Sequence, residues 1–344
     1  MDTTNTTTMH RDGIQFHNVG ELRDVDDRDG ELIQRVPESI RTRLEAAATR
    51  MCHPAGVELR FVPDGPVRVT LSSHLRDSVV QPFWGPFQAT DDVVTIGAEP
   101  RTITLSRPEK LDRLDPSAVA NLDYDPRVCR LLLPGEHRSG HIHFHGVEGD
   151  IRPPELSEFP SQRYLAYGTS ITEGEAAMGE PLTYVNQAAT RLGVDPINLG
   201  NCGTAYCDEA MAEHIAGGEW DVATLSLSVN MVGEFSVETF RERAAHMIDT
   251  VAASHPDSPV VCITILPNAR DFVLDHEEGE ECERFREALR SVVAECDHSN
   301  VSLLDGHELL PDPRGLTTDL VHPGDHAMVR IGENLARELD PLLQ

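Results

Sequence analysis

The hydropathy pattern of the chain changes once, near residue 160, and that change limits the folds open to it. Before it, apolar residues alternate with polar ones in short runs broken by Pro and Gly; after it, apolar runs of strand length alternate with stretches of helical period. Period-two alternation marks strands buried on one face, whereas strand-helix-strand order marks parallel strands buried on both. A chain of 344 residues is long enough for two domains of roughly 150 to 190 residues, each with its own core. The stretch I-R-P-P-E-L-S-E-F-P over 151–160 carries three prolines and reads as the linker between them.

In the first part, 1–155, Val57, Leu59 and Phe61, then Val67, Val69 and Leu71, flank the turn Pro63-Asp64-Gly65-Pro66, the pattern of a hairpin. Short runs at Val93 to Ile96, Thr102 to Leu105, Val128 to Leu133 and His141 to His145 extend it to an all-β sandwich of jelly-roll type. Ile40, Leu44, Ala47 and Met51 recur at helical spacing and predict one helix within it. In the second part, 161–344, strands are expected near Tyr164 to Tyr167, Pro196 to Leu199, Val222 to Val229, Val260 to Leu266 and Val301 to Leu304. Helices lie between them, among them Val237 to Ala253 after the N-cap Ser236 and a last one from Asp325 to Leu339. This order implies an α/β fold with a parallel five-stranded sheet and helices on both faces, and sites in such sheets lie beyond the carboxyl ends of the strands.

Ser170 falls at such an end, in R-Y-L-A-Y-G-T-S-I-T-E-G, where the chain turns from a strand into a helix. Unpaired N–H groups at a helix start can stabilise an oxyanion, but a serine needs a base, and the base an orienting group. Thr318-Asp319-Leu320-Val321-His322-Pro323 offers both in one loop: Asp319 to accept from imidazole Nδ1 and His322 Nε2 to take the serine proton. His326, one turn further on, is a competing base set inside the helix. Asn198-Leu199-Gly200-Asn201-Cys202-Gly203 and Leu227-Ser228-Val229-Asn230-Met231 end the next two strands and place further donors there. A tetrahedral intermediate would then meet the N–H groups of Ser170 and Gly203 and the side-chain amide of Asn230.

Gly168-Thr169-Ser170, Gly203 within N-L-G-N-C-G, Asn230, and Asp319-x-x-His322 resemble, in order and spacing, the four blocks of the SGNH or GDSL-type hydrolases. The resemblance covers residues 163 to 344. It implies a flavodoxin-like three-layer α/β/α fold and ester or thioester cleavage through an acyl-enzyme, with no metal or other cofactor. F-H-N-V-G-E-L and E-L-R-F-V look like the β-sandwich that precedes the hydrolase domain in some two-domain members. Two positions depart from the family pattern: Thr169 stands where Asp is usual, and Val229 and Met231 flank Asn230 in place of Gly and Asp. No G-x-S-x-G elbow and no G-x-G-x-x-G loop competes for the site.

Charge narrows the partners. The formal net charge is -29, and a single lysine, Lys110, stands among 29 basic residues. Such a surface repels phosphate backbones and anionic headgroups and suits a salty cytoplasm, as in a halophile. The N-terminus carries no export signal, and seven cysteines without a C-x-x-C pair indicate reduced thiols and a cytoplasmic protein. His141, His143 and His145 share a strand face, read as solvated in preference to metal-binding, and Asp271 to Glu283 reads as an acidic loop or lid. The expectation is a serine esterase acting on a small soluble ester, an acetylated sugar among the candidates, with neither nucleic acid nor membrane as partner and no signal that sets an oligomeric state. An acyltransferase using the same acyl-enzyme and a non-catalytic carbohydrate-binding protein are the rivals.

Overall fold

A computed structural model describes residues 8–26, 28–135, 140–272 and 276–343. All its antiparallel strands fall at or before Arg152. One sheet runs Thr8–Arg11, Ile14–His17, Glu58–Pro63, Cys129–Leu132, Ser78–Trp84 and Phe87–Gln88, with Ile151–Arg152 and Val94–Ile96 paired onto it. The facing sheet runs Arg101–Leu105, Val67–His74, His141–Glu148, Glu31–Gln34 and Glu21–Asp24. Phe16, Leu59 and Phe61 meet Leu71, Ile103 and Phe144 between them, with the Phe16 and Phe144 rings edge to face at 5.1 Å.

Three expectations are corrected here, those of a hairpin, of a long helix and of a solvated histidine face. Glu58–Pro63 and Val67–His74 do not form a hairpin; they lie in opposite sheets, because alternation tells which face a strand buries and not which strand it pairs with. The helix expected over Ile40 to Met51 is reduced to Glu38–Arg41 and a turn at Arg50–Cys52. Leu44, Ala47 and Met51 are buried all the same, in the core of the parallel half, so their spacing records burial and not helix. Residues 151–160 are packed: Ile151 and Arg152 pair with Pro63 and Val62, and the buried Glu158 carboxylate takes Arg152 and Arg127. His143 is buried against His74, with ring centroids 4.7 Å apart, so the histidine face is not solvated throughout.

From Arg163 onward all sheet strands are parallel, in the order Asp195–Gly200, Arg163–Gly168, Val222–Ser226, Val260–Ile263, Val301–Leu304. Helices Glu209–Ala216, Val237–Ser254 and His276–Ala294 cover one face, and Tyr184–Leu192 and Asp325–Leu339 the other. Ser236 caps its helix as the sequence indicates, accepting from Thr239 N–H. Met328, Ile331, Leu335 and Leu339 all point inward. The second half is therefore the three-layer α/β/α arrangement with strand order 2-1-3-4-5. Its topological switch lies between the first and third strands, and ligands bind at such switches. The segment expected as an acidic loop is largely helical, in Ala269–Phe272 and from His276 on, while 273–275 lie outside the described residues.

Strand Asp195–Gly200 is the edge of this sheet, and an edge strand presents unpaired carbonyls. The antiparallel half covers them with side chains instead of another strand. His17 Nε2 reaches Pro196 O (2.6 Å), Asn18 Nδ2 donates to Asn198 O (3.0 Å), and Arg35 Nη1 donates to both Asn198 O (3.1 Å) and Gly200 O (2.9 Å). The acceptors are every second residue, as strand geometry requires.

Candidate active site

Ser170 opens the short helix Ser170–Glu173, which follows strand Arg163–Gly168, the neighbour of the edge strand. Small residues make room for that helix. A Cβ on Gly168 would collide with Thr172 Oγ1, and one on Gly200 with the backbone N of Glu173, so the turn sits hard against the ends of two strands. Ser170 is 5% exposed, and its Oγ lies 2.9 Å from His322 Nε2.

His322 sits in a loop closed on itself: Thr317 N–H donates to His322 O (2.8 Å) and Gly324 N–H to Gly315 O (2.8 Å). Asp319 Oδ2 lies 2.8 Å from His322 Nδ1, while Asp319 Oδ1 accepts from Thr317 Oγ1 (2.7 Å), Val321 N–H (2.8 Å) and His322 N–H (3.0 Å). Partial burial opposes ionisation of Asp319. The hydrogen bonds from the His322 ring, the two amides and Thr317 outweigh it and hold the carboxyl well below its ordinary range. The fixed carboxylate leaves the Nδ1 position as donor and Nε2 as acceptor toward Ser170. His326 is exposed on the following helix, and the hydrogen bond from Ser170 goes to His322.

Gly203 has φ +68°, a conformation L side chains rarely adopt. The loop before it is held by Asn201 N–H to Gly168 O (2.8 Å) and Cys202 N–H to Glu173 Oε2 (2.5 Å). Asn230 lies in the turn after the third strand, and its Oδ1 accepts from Ala205 N–H (3.2 Å). With the oxygen committed, Nδ2 is the group this side chain can offer. The structure thus joins Ser170, His322 and Asp319 in one hydrogen-bonded chain and ties the Gly203 loop to Asn230. Among the described residues no set of three His, Cys, Asp or Glu side chains is arranged to ligate a metal ion.

Residues 161–340 match the family model described as GDSL-like Lipase/Acylhydrolase. The chain belongs to that family. Membership makes it an enzyme acting on ester bonds. No curated protein matches the sequence. Among solved structures, the salicylyl-acyltransferase SsfX3 from a tetracycline biosynthetic pathway superposes with a TM-score of 0.79 at 16% identity, covering 97% of this chain and 96% of that one. A putative GDSL-like lipase from Bacteroides ovatus gives 0.67 at 17% identity, over 90% and 91% of the two chains. A family two carbohydrate esterase from Clostridium thermocellum gives 0.63 at 16%, over 96% and 98%. At these identities the likeness is one of fold, and it extends across the antiparallel half as well as the family segment.

Two buried residues beside the candidate site escape the motif. Glu173, fully buried, holds the Cys202 amide, and Arg35, fully buried 138 positions earlier, approaches the other Glu173 oxygen at 3.7 Å. A cation inside the apolar run Leu32-Ile33-Gln34-Arg35-Val36 was the available signal, since an arginine there must find buried acceptors.

Proposed function

We propose that the chain is a serine esterase in which Ser170 is the nucleophile, His322 the general base and Asp319 the group that orients it. The chain from Ser170 Oγ through His322 to Asp319, at 2.9 and 2.8 Å, carries this reading. Ser170 Oγ attacks the ester carbonyl carbon as His322 Nε2 takes its proton. Charge on the carbonyl oxygen is met by the N–H groups of Ser170 and Gly203 and by Asn230 Nδ2. Collapse expels the alcohol, which receives the proton from His322, and leaves an acyl-Ser170. Water, deprotonated by the same imidazole, then releases the acid and restores the serine.

The substrate class proposed is a small soluble ester, with acetylated sugars foremost because carbohydrate esterases share the whole two-part architecture. An acyltransferase remains the second reading, supported by the fold shared with SsfX3 over nearly the full chain; it differs only in the hydroxyl that takes the acyl group. Product analysis with competing alcohols separates the two. A role limited to binding leaves the activated serine unexplained.

The test is a fluorophosphonate probe with adduct mapping by mass spectrometry. An adduct on Ser170, lost in Ser170→Ala and greatly reduced in His322→Ala, is expected. Full esterase activity in Ser170→Ala overturns the reading. The net charge of -29 suits a salt-rich cytoplasm, so the labelled fraction is expected to be larger in molar KCl than in dilute buffer, and the reverse order counts against that setting.

A further inference from the structure

We propose that Arg35, which belongs to the antiparallel half, is a positioning residue for the loop that carries Gly203, so that the antiparallel half is part of the catalytic apparatus and not an appended module. The inference rests on the reading of Ser170 as nucleophile and Gly203 as oxyanion donor.

Gly200 is the last residue of the edge strand, and no neighbouring strand on its outer side fixes its carbonyl. Arg35 does so: Nη1 binds Gly200 O and Asn198 O, and Nη2 donates to Arg50 O at 2.8 Å. A guanidinium has five donors in a rigid fork, so a buried one dictates where its acceptors lie. Two residues beyond Gly200, the Cys202 amide is held by Glu173 Oε2, while Glu173 Oε1 faces Arg35. The segment leading to Gly203 is therefore gripped from outside by Arg35 and from the serine helix by Glu173, and the two grips touch each other.

This matters for chemistry because the direction of the Gly203 N–H follows from the peptide plane joining it to Cys202. A donor serves an oxyanion only at about 2.7–3.1 Å from where the charge develops. A misplacement of about 1 Å can cost ~10²-fold in rate. Loss of Arg35 should leave the Ser170–His322 pair in place while misaiming the donor. That combination predicts slow turnover on an intact nucleophile.

The experiment counts active sites before measuring rates. Wild type, Arg35→Met, Arg35→Lys and Arg60→Lys are titrated with the fluorophosphonate, and kcat and KM for a simple acetyl ester are expressed per labelled serine. Arg60→Lys is the control, since Arg60 also joins the two halves but at the far end of the strand. For Arg35→Met the labelled fraction is expected to stay near wild type, kcat per labelled site to fall ~10- to 100-fold, and KM to change little. Arg35→Lys, which keeps the charge beside Glu173 but not the fork, should fold and fall between. Arg60→Lys should keep wild-type kcat per site. Unchanged turnover per labelled serine in both Arg35 variants overturns the inference, as does loss of the labelled fraction in parallel with the fold, which would make Arg35 a folding residue only. Absence of labelling in wild type would instead strike the reading of Ser170, so the two failures are distinguishable.

Discussion

The two ends of strand Asp195–Gly200 are joined to the antiparallel half by different chemistry. At the Asp195 end the contact is a closed network of formal charges. Arg60 donates to both Asp195 oxygens (2.9 and 2.7 Å) and to Glu58 (2.7 Å), Tyr124 O–H donates to Asp195 (3.0 Å), and Arg130 takes the remaining Glu58 valences. At the Gly200 end one guanidinium is shared among carbonyls, its Nε finds no partner among the described residues, and its nearest carboxylate stands off at 3.7 Å. Beside it the buried Glu180 carboxyl accepts from Gly56 N–H and Asn186 Nδ2, and its pKa is raised to about 8 by burial. A saturated network fixes the joint. The unsaturated one lies next to the loop proposed to serve the chemistry.

The sharpest way to break this contrast is Arg60→Met. It leaves Asp195 a buried charge without its arginine and leaves Glu58 with Arg130 alone, and is expected to cost about 3–5 kcal/mol in a denaturant titration, while surviving folded molecules keep wild-type turnover per labelled serine. A loss of turnover with little loss of stability would erase the distinction between the ends.

The ends should also fail at opposite pH. His17, buried beside Arg60, is pushed down to about 4 by burial and by that guanidinium, with Asp195 and Glu58 opposing the shift. A histidine with a depressed native pKa resists protonation in the fold, so stability falls as pH drops from about 6.5 towards 4. Glu180 behaves in the other sense. Burial raises it, as does Glu58, against the hydrogen bond from Gly56, the charge of Arg35 and the Asn186 amide, so the native state binds its proton more tightly than the unfolded chain does. Stability therefore falls as pH rises from 4.5 through about 8. Glu180→Gln is expected to flatten that alkaline descent and to exceed the parent by about 2 kcal/mol at its upper end. An unaltered alkaline limb in chemical denaturation across this window would show that Glu180 does not set it.

The smallest effect sharpens the comparison further. Asn18→Ala removes the donor on Asn198 O midway along the strand, where Arg35 still binds the same carbonyl. A loss of about 1 kcal/mol in the denaturation midpoint is expected, with turnover per site reduced less than in Arg35→Met.

Legibility in the sequence followed the range of the interactions. Ser170, Gly203, Asn230, Asp319 and His322 could be named as candidates because strand ends and local loops place them, and a short motif encodes a loop; the structure sets Ser170, His322 and Asp319 in one hydrogen-bonded chain. The parallel strands were readable because burial on both faces leaves continuous apolar runs. The sheet exchange between Glu58–Pro63 and Val67–His74 was not, since partner choice is set by contacts far along the chain. Leu44, Ala47 and Met51 misled for the same reason: their periodicity fits a helix, while the surface that buries them belongs to residues beyond 160. Arg35 shows in the sequence only as a cation among mostly apolar neighbours and Glu173 not at all, because the partners that give both their place are met only in the folded chain.

The covered edge strand also has a history within each molecule. His17, Asn18 and Arg35 reach acceptors 163 to 180 positions further along the chain. Contacts so distant in sequence close late, after the local elements have formed. A newly made chain would thus complete its parallel sheet first and gain its last grip on Gly200 only when the earlier-made half docks. Regained helix signal should then precede regained activity during refolding, with docking of the two halves as the final commissioning step of the enzyme.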